Sequence, residues 1–152
     1  MNEKNEQKII QCVITDERAV VPTKAHDSDI GYDLTAIDIF KHISRRITLF
    51  ETGIAVSPPN GYYMEIVPRS SMSKTGYMLA NSIGTIDPEY TGTLKIALIK
   101  IDDDLPDIKL PFTTCQLVLR KAEYSNIAQI EKLKETVRGD GGFGSTDKNI
   151  KK

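Results

Sequence analysis

The chain is short of cysteine, histidine and net charge: two cysteines, two histidines and a formal charge of -1 in 152 residues. Cys12 and Cys115 lie far apart, with no Cys-x-x-Cys and no histidine at ligand spacing. That argues against a zinc cluster or a disulfide framework and for a pair of reduced core thiols in an intracellular protein. His26 and His42 are too isolated to build a metal cluster and read as surface or loop residues. A chain with almost no net charge has no broad basic surface for gripping nucleic acid, so any phosphate binding has to be local. No apolar run approaches the length of a membrane span, and the polar start Met1-Asn2-Glu3-Lys4-Asn5-Glu6 is not a secretory signal. Long amphipathic helices, heptads and solenoid-length repeats are missing as well. So are a Gly-x-Gly-x-x-Gly opening a helix and a Gly-x4-Gly-Lys, which leaves the two common phosphate-loop folds without support. The expectation is a soluble, intracellular protein, cytoplasmic, or nuclear in a eukaryotic or viral setting. Neither a membrane nor a nucleic acid is expected as its partner.

What is present is 39% apolar residues in short runs bounded by turn residues, the pattern of a single all-β domain. Ile9–Ile14, Ile37–Phe40, Ile47–Phe50, Gly53–Val56, Tyr62–Val67, Leu94–Ile101 and Gln116–Leu119 are the expected strands. Ser57-Pro58-Pro59-Asn60-Gly61 reads as a hairpin loop, and Asp102–Asp107 as a solvated acidic turn that lacks calcium-loop spacing. Helix is invited in two places. Ser70–Thr75 suits a single turn after Pro68, and Ile127–Lys134 suits either a short helix or an extended linker. The expected architecture is a β-sandwich or jelly roll over residues 1–136, with a mobile C-terminal arm over 137–152.

Four segments carry chemistry. Arg138-Gly139-Asp140-Gly141-Gly142-Phe143-Gly144-Ser145-Thr146 crowds four glycines around one phenylalanine. An arginine fork, glycine-flanked N–H groups and two hydroxyls suit phosphate, and Phe143 offers a face for a base. A flexible Gly-rich tail is the plainer alternative. In Asp29-Ile30-Gly31-Tyr32-Asp33-Leu34, just before a strand, Asp33 is either a turn cap or a carboxylate that holds a divalent ion through water. Pro68-Arg69-Ser70-Ser71 offers an arginine, two hydroxyls and the N–H groups of a helical turn, or simply an N-cap beside a surface arginine. Asn81–Gly92 brings together an amide that can read a base edge, a glycine-containing turn, Asp87 beside apolar residues, and Tyr90 three residues on. Asp87 there is either a general base for a water or part of an Asp-Pro turn.

Taken in order, Asp29–Ala36, Pro68–Ser71, Asn81–Gly92 and Arg138–Thr146 resemble motifs one, two, three and five of the homotrimeric dUTPase family, and Leu110–Leu119 falls where motif four belongs. The resemblance runs from about Val21 to Asp147. It implies a dUTPase-like jelly-roll or β-clip domain, assembled as a three-fold trimer whose active sites draw on all three subunits. The implied reaction converts dUTP and water to dUMP and pyrophosphate with Mg²⁺, by attack of water at the α-phosphorus; it limits uracil incorporation into DNA and supplies dUMP. Asp87 matches the water-activating residue, and Asp33 the carboxylate that engages the Mg²⁺ shell through water. Arg69, Ser70, Ser71 and Gln116 match contacts to the phosphates. Asn81 matches a uracil-edge contact, Gly84 a substrate contact, and Ile86 and Tyr90 the deoxyribose side. Arg138, Phe143, Gly144, Ser145 and Thr146 match the arm that stacks on uracil and holds the γ-phosphate.

The chain also departs from the family pattern. Pro111-Phe112-Thr113-Thr114-Cys115-Gln116 keeps only the glutamine of motif four; Ile30, Thr93 and Asp147 replace an alanine, an acidic or amide residue and a glycine. Two rivals are a dCTP deaminase, which shares the fold but usually lacks the Gly-rich arm, and an inactive nucleotide-binding relative. Arg138–Thr146 counts against the first, and the retention of Asp87, Asp33 and Arg138 against the second.

Overall fold

The structure is a computed structural model and describes residues 8–143. Among the described residues ten strands follow one another: β1 Gln11–Ile14, β2 Gly31–Ala36, β3 Asp38–His42, β4 Ile47–Glu51, β5 Ile54–Ser57, β6 Tyr62–Pro68, β7 Tyr77–Leu79, β8 Gly84–Ile86, β9 Lys95–Lys100 and β10 Phe112–Lys121. They form two four-stranded sheets, β2-β10-β6-β8 and β3-β4-β9-β7, and a two-stranded ribbon, β1-β5. Every pairing is antiparallel. One 3₁₀ turn, Ser70–Lys74, interrupts them where a helical turn was expected.

Period-two alternation sets the core. On β6, Met64 and Ile66 are buried while Tyr63, Glu65 and Val67 face outward; on β9, Ile96 and Leu98 are buried and their neighbours are half-buried. Leu34, Ile54, Leu94, Cys115 and Leu117 complete the layer, and Phe50 meets Phe112 edge-on at 4.9 Å between centroids. Each fully buried side chain of this kind contributes about 1.5–3 kcal/mol through removal from water.

Several expectations need correction. Cys12 is exposed on β1, a four-residue ribbon strand with no buried position; only Cys115 is a core thiol. Burial pushes the Cys115 thiol up to about 12, so it is inert at neutral pH. Ser57–Gly61 is not a hairpin loop: β5 pairs with β1, and β6 pairs with β10 and β8, so the segment carries the chain between sheets. Asp33 lies within β2 rather than before a strand, because Leu34 and Ala36 alternate into the core and draw Gly31 and Asp33 into the ladder. Asn81–Gly92 contains the short strand β8 as well as its turns. Ile127–Lys134 takes the extended alternative, and no regular element follows Lys121 among the described residues.

Candidate active site

One cluster gathers where β2, β10 and β6 lie side by side. Asp33 stands opposite Gln116, and Gln116 stands opposite Val67. Arg69 follows β6 and opens the 3₁₀ turn. Its Nε lies 3.1 Å from Asp33 Oδ1, and its Nη1 donates to the Thr113 carbonyl at 2.9 Å. Its backbone N–H donates to the Thr114 carbonyl at 2.8 Å. Thr113 and Thr114 sit where the β10-β2 register shifts, between Phe112 and Cys115. A bulge frees carbonyls from the ladder and re-aims them, and here they fix the arginine. The Pro111–Gln116 segment therefore reaches Arg69 through its backbone. Buried Met72 anchors the turn from inside, leaving the hydroxyl-bearing Ser70 and Ser71 exposed beside Arg69.

Gln116 is held by contact with a glycine. Its Nε2 donates to the Pro68 carbonyl at 3.1 Å. A Cβ at Gly31 would fall 1.9 Å from Gln116 Oε1 and 2.6 Å from its Cδ, so the side chain lies across the bare backbone of β2. The result is a patch with an arginine, two hydroxyls, an amide and one carboxylate: donors for a phosphate chain beside a single oxygen ligand.

The second cluster belongs to β8 and the turn after it. Gly84, packed against Ile66, leaves room for Asn81, whose Nδ2 would be 3.4 Å from a Cβ there. Asp87-Pro88-Glu89-Tyr90 closes with the Tyr90 N–H donating to the Asp87 carbonyl at 3.0 Å, so the Asp-Pro turn and the candidate base are the same feature. The Tyr90 hydroxyl donates to the Thr93 carbonyl at 3.0 Å. A hollow of about 190 Å³ is lined by Thr85, Ile86, Asp87, Tyr90 and Lys95. On the other side of Asp87 opens a wider groove of about 470 Å³ that includes Tyr63, Lys121 and Tyr124.

The two clusters do not meet within one chain. Gly84 stands opposite Ile66 and Ile86 opposite Met64, so Asp87 lies beyond Met64, toward Tyr63. Arg69 lies past the other end of β6. Tyr63 and Arg69 are six residue steps apart, about 20 Å at roughly 3.3 Å per residue. Residues 137–143 join neither cluster. Arg138 Nε donates to the Gly141 carbonyl at 3.0 Å, and Phe143 is fully exposed. Among the described residues, no hydrogen bond ties 125–143 to the sheets. Gly144, Ser145 and Thr146 lie outside the described residues.

Sequence reasoning missed Gly31, the carbonyls of Thr113 and Thr114, and Lys95. Lys95 is an unremarked position in a strand, Gly31 reads only as part of a segment before one, and a carbonyl carries no residue-type signal at all.

A family model described as dUTPase matches residues 17–147. The chain belongs to the dUTPase family. The matched stretch contains all four ordered segments and both clusters. Among curated dUTPases, the deoxyuridine 5'-triphosphate nucleotidohydrolase of Corynebacterium glutamicum is 36% identical over 141 residues, covering 91% of this chain and 95% of its own length. The dUTPase fold is matched by solved structures. A variant of the Staphylococcus bacteriophage 80alpha dUTPase with dUpNHpp superposes with a TM-score of 0.74 at 23% identity, over 91% of this chain and 98% of that one. A variant of the phage phi11 dUTPase of S. aureus, described with a structural Mg(II) ion, gives 0.67 at 23%, over 84% and 99%.

Proposed function

We propose that this dUTPase works as a homotrimer in which Asp87 of one copy faces the Arg69–Gln116 patch of another, and residues 137–152 of a copy close over the bound nucleotide. As a member of its family the chain hydrolyses dUTP to dUMP and pyrophosphate. The observation that carries the reading is the separation of about 20 Å between Asp87 and Arg69 along β6. A general base must stand within about 3 Å of the water it deprotonates, and that water must stand beside a phosphorus whose oxygens the arginine holds. One triphosphate does not bridge the gap, whereas two copies in register close it.

In this arrangement Arg69 holds phosphate oxygens with its fork, and the Ser70 and Ser71 hydroxyls and the Gln116 amide add neutral donors. Asn81 and Gly84 present the uracil edge, and Ile86 and Tyr90 wall the deoxyribose. Asp87 takes the proton of the attacking water, and the bond from the α-phosphorus to the bridging oxygen of the pyrophosphate breaks. Phe143 stacks on uracil while Arg138, Gly144, Ser145 and Thr146 hold the γ-phosphate.

The donor set also suits Mg²⁺. Among the described residues no group of three carboxylate, histidine or cysteine ligands exists, and Asp33 offers a single carboxylate beside the phosphate donors. Mg²⁺ keeps most of its waters and takes one or two carboxylates plus substrate phosphates, which is the set on offer here. When bound it neutralises charge on the phosphate chain. Steady-state pyrophosphate release tests the reading: dUTP turns over, and mixing Asp87→Asn with Arg69→Ala chains restores activity that neither variant has alone. Failure of the mixed trimers to recover any turnover would overturn the shared site.

A further inference from the structure

The Tyr90 wall is held from behind by a network that no role above requires. The ring lies over Gly92, where a Cβ would fall 2.5 Å from its hydroxyl oxygen and 2.7 Å from Cζ. Its hydroxyl donates to the Thr93 carbonyl at 3.0 Å. The same carbonyl accepts from Lys95 Nζ at 3.1 Å, and Lys95 also contacts the Thr93 hydroxyl closely. That hydroxyl donates to Glu51 Oε2 at 3.1 Å, which lies 2.8 Å from Lys95 Nζ. Glu51 Oε1 accepts the backbone N–H groups of Thr52 at 2.9 Å and Gly53 at 2.8 Å.

Packing constrains the network at both ends. Gly53 has φ +67°, and a Cβ there would meet Ala19 and Asp16 at 2.9 Å, so the turn that binds Oε1 requires glycine at that position. Glu51 and Lys95 face each other across β4 and β9, each side chain only 21% exposed, and the Lys95 ammonium lies 4.6 Å from the centre of the Phe40 ring. Burial alone would push the Glu51 carboxyl up. The Lys95 ammonium, the Gly53 N–H and the Thr93 hydroxyl more than reverse this, and keep it ionised at neutral pH. An ion pair this far out of water returns little stability for its desolvation, but it fixes position well.

We infer that Glu51 is a positioning residue for the sugar-facing wall: acting through Lys95 and Thr93, it sets where the Tyr90 ring stands and how strictly a 2′-hydroxyl is refused. The inference rests on the reading that Tyr90 lines the deoxyribose. Glu51 touches no substrate. It ties the Thr52–Gly53 turn to the carbonyl on which Tyr90 rests.

The test compares kcat/KM for dUTP and UTP in full-length Tyr90→Leu, Glu51→Gln, Tyr90→Phe and Glu51→Gln/Tyr90→Phe. In Glu51→Gln the dUTP:UTP ratio should fall about 3- to 10-fold, mainly because UTP turns over faster, with kcat on dUTP near wild type. Once Tyr90→Phe has removed the hydroxyl that reads the network, Glu51→Gln should change the ratio less than about twofold further. A wild-type ratio in Tyr90→Leu overturns the wall reading and this inference with it. A ratio that falls in Tyr90→Leu but holds in Glu51→Gln overturns the inference alone, and a lowered Tm with that held ratio marks the pair as purely structural.

Discussion

Replacing Gly31 with alanine should disable Gln116 without touching it. The new Cβ would lie 1.9 Å from Oε1, 2.6 Å from Cδ and 2.9 Å from Cγ of Gln116. Three successive atoms are overlapped, so no small rotation of the terminal amide relieves the clash, and the side chain must leave its rotamer. It then loses the 3.1 Å bond to the Pro68 carbonyl and with it its place beside Pro68-Arg69. The backbone itself tolerates alanine, because Gly31 sits in β2 without a positive φ, and the added Cβ lowers the entropy of the unfolded chain. A hydrogen bond to a charged group contributes about 1.5–3 kcal/mol, so kcat/KM on dUTP should fall roughly 10- to 150-fold. Pyrophosphate release measures this, with thermal melting alongside; Tm should move by no more than a few degrees. Gln116→Ala removes the same amide directly, so Gly31→Ala/Gln116→Ala should be no worse than Gln116→Ala alone. Wild-type kcat/KM in Gly31→Ala, or additive losses in the double variant, would refute the reasoning.

Asp87→Asn should lower kcat roughly 10²- to 10⁴-fold while nucleotide binding survives, measured by turnover and by titration with a non-hydrolysable dUTP analogue. A chain ending at Val137 should keep its apo Tm and scatter light as three copies per particle, yet lose most dUTP hydrolysis, since Arg138 bonds within its own segment and Phe143 is fully exposed. The Glu51 carboxyl is held below its ordinary range, so its pair with Lys95 contributes stability at neutral pH that disappears as pH falls through the folded value. Acid melts should therefore show wild type losing more stability than Glu51→Gln below the usual glutamate range, with the two curves parallel at neutral pH.

The sequence by itself determined the class of fold and the residue types of the candidate site. Short alternating runs such as Met64-Glu65-Ile66 carry the strand period in their chemistry, and a buried face follows from it locally. Arg69, Asp87 and Tyr90 were legible because an arginine, a carboxylate and an aromatic each announce what they can do, and their order matched a family. Three strands were hidden: β7 and β8 are three residues long, too short to show a period, and β2 opens on Gly-Tyr-Asp, which reads as a turn.

Only the tertiary structure decided which of these residues share a place. The register of β6 against β8 puts Asp87 and Arg69 at opposite ends of one strand, a fact about pairing between segments that spacing along the chain does not encode. The bulge at Thr113–Thr114 turns two carbonyls onto Arg69, and carbonyls are the same in every residue. The bare backbone of Gly31 beneath Gln116 and the reach of Glu51 across to Lys95 join positions 85 and 44 residues apart. Such contacts are bought by packing of whole sheets, so they become visible only once the core of Leu34, Ile66, Ile96 and Leu117 has fixed the strands around it.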